Sequence, residues 1–322
     1  MKLNKVFWPL MAVALTLGFT SCSKSDDNTD NAYQFNPPAN PGMAMKLTME
    51  FPDELLLGQK RVESVEFTEG TSVLIKQCVR EAVTNTRAEG DEPATTIKTI
   101  YTVGDYVKAN DVYSITVGHR SWGNITLQQE SGNKATIIIN AVGEPTQTSK
   151  ATVETAATSS STQPIDDLLT RRTWTPLFTR LNLQKQGTTG VVADELEGAD
   201  FEAIKKRIEQ EGCKIKDEFG DGYVVNSVFL SELGTFAIDF TNGKNYIGKW
   251  TWGTKTDYSA DLRYVWEEEN MGCEYENGSA HVDIYTTDVY QGECWLRLQS
   301  TIKQDDGVTW NCELIFRLIE KK

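Results

Sequence analysis

The chain has 322 residues, 39% of them hydrophobic and 10% aromatic, so it can bury sizeable cores and is expected to form two domains. It carries 46 acidic against 32 basic side chains, a formal net charge of −14. Such a surface repels nucleic acid and anionic lipid head groups, which excludes both as partners. The first element reads as a leader: Lys2 and Lys5 give a positive start, and the apolar run from Val6 to Phe19 is too short to span a bilayer.

The leader ends in Leu17-Gly-Phe-Thr-Ser-Cys22, with small residues just before a cysteine. This resembles a bacterial lipobox, which implies a signal peptide over 1–21 and lipid (palmitate) on the Cys22 thiol. Asp26, Asp27 and Asp30 follow, and an acidic run there resembles the surface-export signal of Bacteroidota lipoproteins. The resemblance implies an outer-membrane lipoprotein exposed on the cell surface. Residues 22–44 are rich in Asn, Asp and Pro, lack apolar periodicity and read as an extended stalk.

Residues 45–143 read as an N-terminal β domain. Met45 to Phe51 alternates apolar and polar, and six further runs follow from Val62–Phe67 to Ala135–Ile139, separated by turn residues such as Glu69-Gly70 and Gly104-Asp105. Short strands at that density predict a β-sandwich or a small barrel. Residues 144–164, dominated by Thr, Ser and Ala between Pro145 and Pro164, read as a linker.

Residues 165–322 predict eight strands and one helix. The organising stretch is Val225–Trp252, three strands with tight turns at Ser231-Glu232-Leu233-Gly234 and at Asn242-Gly243-Lys244. A fainter copy lies upstream: Val62–Glu69 shadows Val225–Glu232, and Tyr101–Gly104 shadows Trp250–Gly253, so the two halves share one theme. The helix is expected from Phe201 to Glu211, capped by Asp200, with Phe201, Ile204 and Ile208 on one face and Gly212 past its end. Eight meandering strands close readily into an up-and-down barrel, with the helix as plug or lid.

The first-strand Trp174, the run Ser231-Glu-Leu-Gly-Thr-Phe236, Gly248-Lys-Trp-Thr-Trp252 and the closing Leu314–Leu318 together resemble the lipocalin-like domain of Bacteroidota surface lipoproteins, with Arg172 standing where lipocalins carry glycine. The resemblance implies a lipocalin-like barrel in a two-domain lipoprotein. Strand parity then points Trp250, Trp252, Tyr264, Trp266 and Trp310 inward. They read either as a filled core or as an aromatic lining for a small hydrophobic molecule or a glycan. Trp295 has the opposite parity and joins Arg297, His281, Asp283 and Tyr285 on the outer face, a candidate glycan or protein contact patch.

Catalysis is not expected. His119 and His281 fall in different domains, which precludes a His-rich metal site, and no nucleophile elbow, phosphate loop or cofactor fingerprint occurs. Glu267-Glu268-Glu269 reads as a solvated loop rather than a carboxylate dyad. Cys78, Cys213, Cys273, Cys294 and Cys312 leave the disulfide state open, with Cys294 and Cys312 too many rungs apart to pair. The reading is therefore a lipid-anchored surface binding protein with no metal or cofactor; the alternative is an accessory subunit that docks on a surface protein partner.

Overall fold

The computed structural model describes residues 43–51, 53–82, 95–156, 163–215, 222–266, 277–287 and 289–321. The signal peptide, Cys22 and nearly all of the stalk, together with Glu267–Glu269 and Cys273, lie outside them. The protein is all-β, two closed eight-stranded antiparallel barrels with a small helix inserted in the second.

The first barrel is a meander of β1 (Met45–Glu50), β2 (Lys60–Phe67), β3 (Ser72–Ala82), β4 (Thr95–Ala109), β5 (Val112–Val117), β6 (Arg120–Gln129), β7 (Lys134–Ala141) and β8 (Gln147–Thr155). β1 pairs β8 and closes it. So the domain is a barrel rather than a sandwich, and Gln147–Thr155, expected within the linker, is its eighth strand. Its inward residues, Ser149 and Ala151, are small and blur the period-two contrast that marks a half-buried strand. The core gathers Leu47, Phe67, Ile75, Tyr113, Ile125 and Ile137.

Helix α1 (Pro164–Thr170) follows, with Pro164 in its first turn and the Asp166 carboxylate accepting from Gln163 N at 3.0 Å. The second domain comprises β9 (Thr173–Lys185), β10 (Val192–Glu197), α2 (Phe201–Gln210), β11 (Val225–Leu230), β12 (Thr235–Phe240), β13 (Asn245–Lys255), β14 (Ser259–Trp266), β15 (Asn277–Ile284), β16 (Glu293–Lys303) and β17 (Thr309–Glu320), with β10 paired to β9 outside the closed ring of eight. β9 pairs β17 along one edge. Its other edge is shared, Thr173 and Trp174 facing β11 and Phe178 to Leu183 facing β10. β10 is a strand that the acid-rich Val192–Glu197 run did not announce.

The two helices close opposite ends. α1 buries Ile165 and Leu169, and Leu169 O accepts the Trp174 indole N–H at 3.0 Å. α2 sits at the other end, where Asp200 Oδ1 accepts from Glu202 N and Ala203 N, Phe201, Ile204 and Ile208 join the core, and Gly212 takes φ +86° after the last turn. Among the described residues no helix is long and apolar enough to cross a membrane.

The barrels meet through equivalent parts, and the internal echo explains which. β2–β3 and β11–β12 are matching hairpins, and Tyr106 N donates to Thr71 O at 2.6 Å as Trp250 N donates to Gly234 O at 2.7 Å. Register therefore equates Trp250 with Tyr106, five residues from the Tyr101 match that sequence suggested; a Tyr-Thr-Val-Gly motif is too short to fix a frame. Leu74, Tyr101 and Val103 of one barrel bury against Phe229, Ala237 and Ile247 of the other.

Candidate functional site

The inner face of the second barrel is built by parity. Trp250 on β13, Leu262 and Tyr264 on β14, Leu298 on β16 and Cys312, Leu314, Phe316 and Leu318 on β17 all enter one core. Within it lies a cavity of about 70 Å³ lined by carbon, its walls including Phe201, Leu230, Trp250, Tyr264, Leu298 and Phe316. Trp250 is held there by its indole N–H, which donates to Thr235 O at 3.1 Å, and by a T-shaped contact with Trp252 at 4.8 Å.

The structure brings together only part of the predicted lining. Trp250 and Tyr264 face the cavity. Trp252 packs against the core without lining the cavity, with Lys255 over its ring, and Trp310 joins the core at another level, away from the cavity wall. Trp266 sits opposite Gly248 on β14, but its side chain lies outside the described residues. Gly248 makes room for this packing: a Cβ there would come within 2.4 Å of the Phe236 ring.

Trp295 does lie on the outer face, but it is 7% exposed rather than open. Tyr285 and Tyr290 cover it at 5.0 and 4.7 Å, and its indole N–H donates to Glu293 Oε2 at 2.6 Å. The same Glu293 takes Arg317 through both oxygens at 2.9 Å, and Arg317 also reaches Glu195 on β10 at 2.8 Å. This cluster fastens β9, β10, β16 and β17 together; the rings are engaged with one another and do not offer a stacking platform.

Beside it, cross-strand pairing assembles a group invisible to motif search. His281 Nδ1 lies 2.8 Å from Asp261 Oδ1, and Nε2 lies 3.0 Å from Ser259 Oγ. These are the distances of a nucleophile triad. However, Nε2 also faces Asp283 Oδ1 at 3.3 Å, and Asp283 is paired with Arg297 at 3.1 Å. Bonding to Asp283 and then Asp261 holds the imidazolium and raises the His281 pKa above its ordinary value. His281 Nε2 is thus shared between the Ser259 hydroxyl and the Asp283 carboxylate, and the group ties β14 to β15.

Between the barrels, Glu66 is 2% exposed and accepts from Ser231 Oγ and, at 2.9 Å, from Thr235 Oγ1, with Lys46 at 3.8 Å. Glu232 Oε1 accepts from Glu69 N at 3.3 Å and Thr170 Oγ1 at 3.0 Å, while its enclosed Oε2 has no partner. Arg171 neutralises Glu69 and Asp167 instead. Burial pushes the Glu232 carboxyl up from 4.5 to about 7. A carboxyl whose folded pKa is raised stabilises the fold fully below its unfolded pKa and loses that contribution as pH rises through the folded value. Wild-type stability should therefore fall between about pH 4.5 and 7 through Glu232, at up to about 1.4 kcal/mol per pH unit. Asp105 and Asp239, also raised by burial, slope the same way, so the difference between wild type and Glu232→Gln isolates the Glu232 share. Urea melts at pH 5, 6, 7 and 8 check this; parallel curves would refute it.

Cys78, Cys213, Cys294 and Cys312 are buried free thiols. Cys294 lies opposite Leu318, six residues along β17 from Cys312, so the two do not pair. Among the described residues no cluster of His, Cys, Asp and Glu is arranged to hold a metal ion.

No protein-family model matches this chain, and no curated protein matches it. Among solved structures, a match is the isotype 1 transferrin binding protein B from serogroup B Neisseria meningitidis, at 6% identity and a TM-score of 0.21. The alignment covers 80% of this chain and 52% of that one, so the chain spans about half the length of the solved protein it matches.

Proposed function

We propose that this is a lipid-anchored cell-surface binding protein whose second barrel takes a small apolar molecule. The observation that carries the reading is the carbon-lined cavity of about 70 Å³ at Trp250 and Tyr264. A sugar placed there would leave its hydroxyls unpaired at about 1–3 kcal/mol each, so the apolar ligand is favoured over the glycan. The cavity is roughly half the size of one that admits benzene, about 150 Å³, so anything larger must displace side chains or α2. Cys22, with the polar stretch after it, supplies the anchor, and surface exposure follows from the acidic run beyond it.

Cavity size sets the test. Benzene should raise the melting temperature of the wild type slightly and that of Leu298→Ala more, because that change enlarges the void at a cost of about 2–5 kcal/mol. Ala280→Leu, which fills the void, should abolish the response. A flat response in both the wild type and Leu298→Ala would leave the docking subunit as the standing alternative.

A further inference from the structure

Among the described residues, neighbouring positions on the inner faces of β16 and β17 hold two unmet hydrogen-bond donors. Trp310 Nε1 and Ser300 Oγ are both enclosed and neither has a partner. Trp310 is 9% exposed and Ser300 5%. Each orphaned donor costs about 1–3 kcal/mol, and native interiors hold few of them, so two in successive layers call for an occupant.

Their positions follow from register. Ser300 lies opposite Cys312 and Ile302 opposite Trp310, which makes Ser300 and Trp310 diagonal neighbours across β16 and β17. Diagonal positions are about 7–8 Å apart, close enough for one small group to reach both. Both project inward, since Trp310, Cys312 and Leu314 share the core face of β17 and Leu298 that of β16. Leu298 lines the cavity, so Ser300, two residues on, sits about 7 Å further along the strand and Trp310, opposite Ile302, about 13 Å. That step leads towards the α2 end, where Gln304 Nε2 donates to Lys214 O at 3.0 Å and to Cys213 Sγ at 3.6 Å. The donor pair therefore lies on the α2 side of Leu298, and Phe201 of α2 itself reaches the cavity wall.

The chemistry of the layer selects the group. An indole N–H only donates, and a serine hydroxyl donates readily to a carbonyl. The enclosed neighbours Cys312, Leu183 and Ile302 are uncharged, and Lys185, opposite Trp310, is exposed to solvent. Burial pushes the Cys312 thiol up to about 12, so the same environment resists an anion such as a carboxylate.

We propose that the cavity and this donor pair form one site for a short apolar molecule with a single uncharged acceptor, a ketone, aldehyde or ester carbonyl. The carbonyl oxygen receives Trp310 Nε1–H and Ser300 Oγ–H, and the hydrocarbon occupies the void by Trp250 and Tyr264. The inference rests on the apolar-ligand reading above and adds the head group to it.

Protein labelled with ¹⁵N at the tryptophan indoles tests this, with Trp310→Phe identifying the Trp310 signal. Titration with 2-hexanone should move that signal downfield. Ser300→Ala and Trp310→Phe should each weaken 2-hexanone binding about 3- to 10-fold, the worth of one neutral hydrogen bond, and leave n-hexane binding unchanged. Comparing each compound across variants removes the larger cost of desolvating a carbonyl. If both compounds bind, the Trp310 signal stays still and the variants bind 2-hexanone as tightly as the wild type, water serves the donors; the head-group proposal then falls while the apolar-ligand reading stands. If neither compound binds, both fall.

Discussion

Replacing Gly70 with alanine is expected to part the two barrels while leaving each of them closed. A Cβ at Gly70 would stand 1.6 Å from the carbonyl oxygen of Arg171 and 2.4 Å from its carbonyl carbon. Both are main-chain atoms, so no rotamer change relieves the overlap. Arg171 cannot retreat cheaply, because it links α1, anchored by Ile165 and Leu169, to the start of β9. The β2–β3 turn must instead lift away. That movement breaks Glu69 N to Glu232, Ser72 Oγ to Thr173 Oγ1 at 2.7 Å, and the burial of Phe229 against Leu74 and Tyr101. The cost should exceed the roughly 1–3 kcal/mol of ordinary overpacking. Small-angle scattering should show a larger radius of gyration with an unchanged β signature in circular dichroism. Gly190→Ala, where a Cβ meets nothing within 4 Å, is the control. An unaltered radius would mean that the turn tolerates the methyl group.

The barrel was legible where side chains alternate strongly in size and polarity. Trp250, Leu262, Tyr264, Leu314, Phe316 and Leu318 fall inside because flanking Lys249, Arg263 and Arg317 fix the phase of their strands. α2 was legible for a related reason, since its cap, apolar face and terminal glycine are all local. β8 was not, because its inward Ser149 and Ala151 look like linker residues. α1 at seven residues is too short to show a helical period.

The site was less legible than the fold. Parity placed Trp295 on the outer face beside Tyr285, but Tyr290, which completes its cover, comes from the connection before β16, which carries no periodicity. Parity also grouped Trp252 and Trp310 with Trp250, whereas the void is local to one level of the barrel and only register sets the level. The unmet donors at Ser300 and Trp310 depend on what the opposite strand offers, and Cys312 and Ile302 offer nothing. Similarly, Ser259, Asp261 and His281 meet only because β14 and β15 pair in one particular frame.

Arg317→Ala is expected to destabilise the second barrel by about 3 kcal/mol, near the low end for a buried pair broken from one side because the guanidinium keeps 14% of its surface. The loss lies mainly in what it strands. Glu293, whose side chain is 10% exposed, would be left with the Trp295 indole N–H as its remaining side-chain partner. Arg317 also packs against the Phe178, Tyr290 and Trp295 rings at 5.1–5.5 Å, contacts that alanine cannot replace. Lysine should rescue little, since it cannot engage both Glu293 oxygens and Glu195 at once. The double variant Arg317→Met with Glu293→Leu removes both charges and should be more stable than Arg317→Ala alone, which separates a stranded charge from lost packing. Urea unfolding of the three variants decides it. If the double variant is as unstable as Arg317→Ala, the ring contacts carry the cluster and the ion pair is incidental; if it recovers most of the loss, the buried carboxylate is what Arg317 is there to balance.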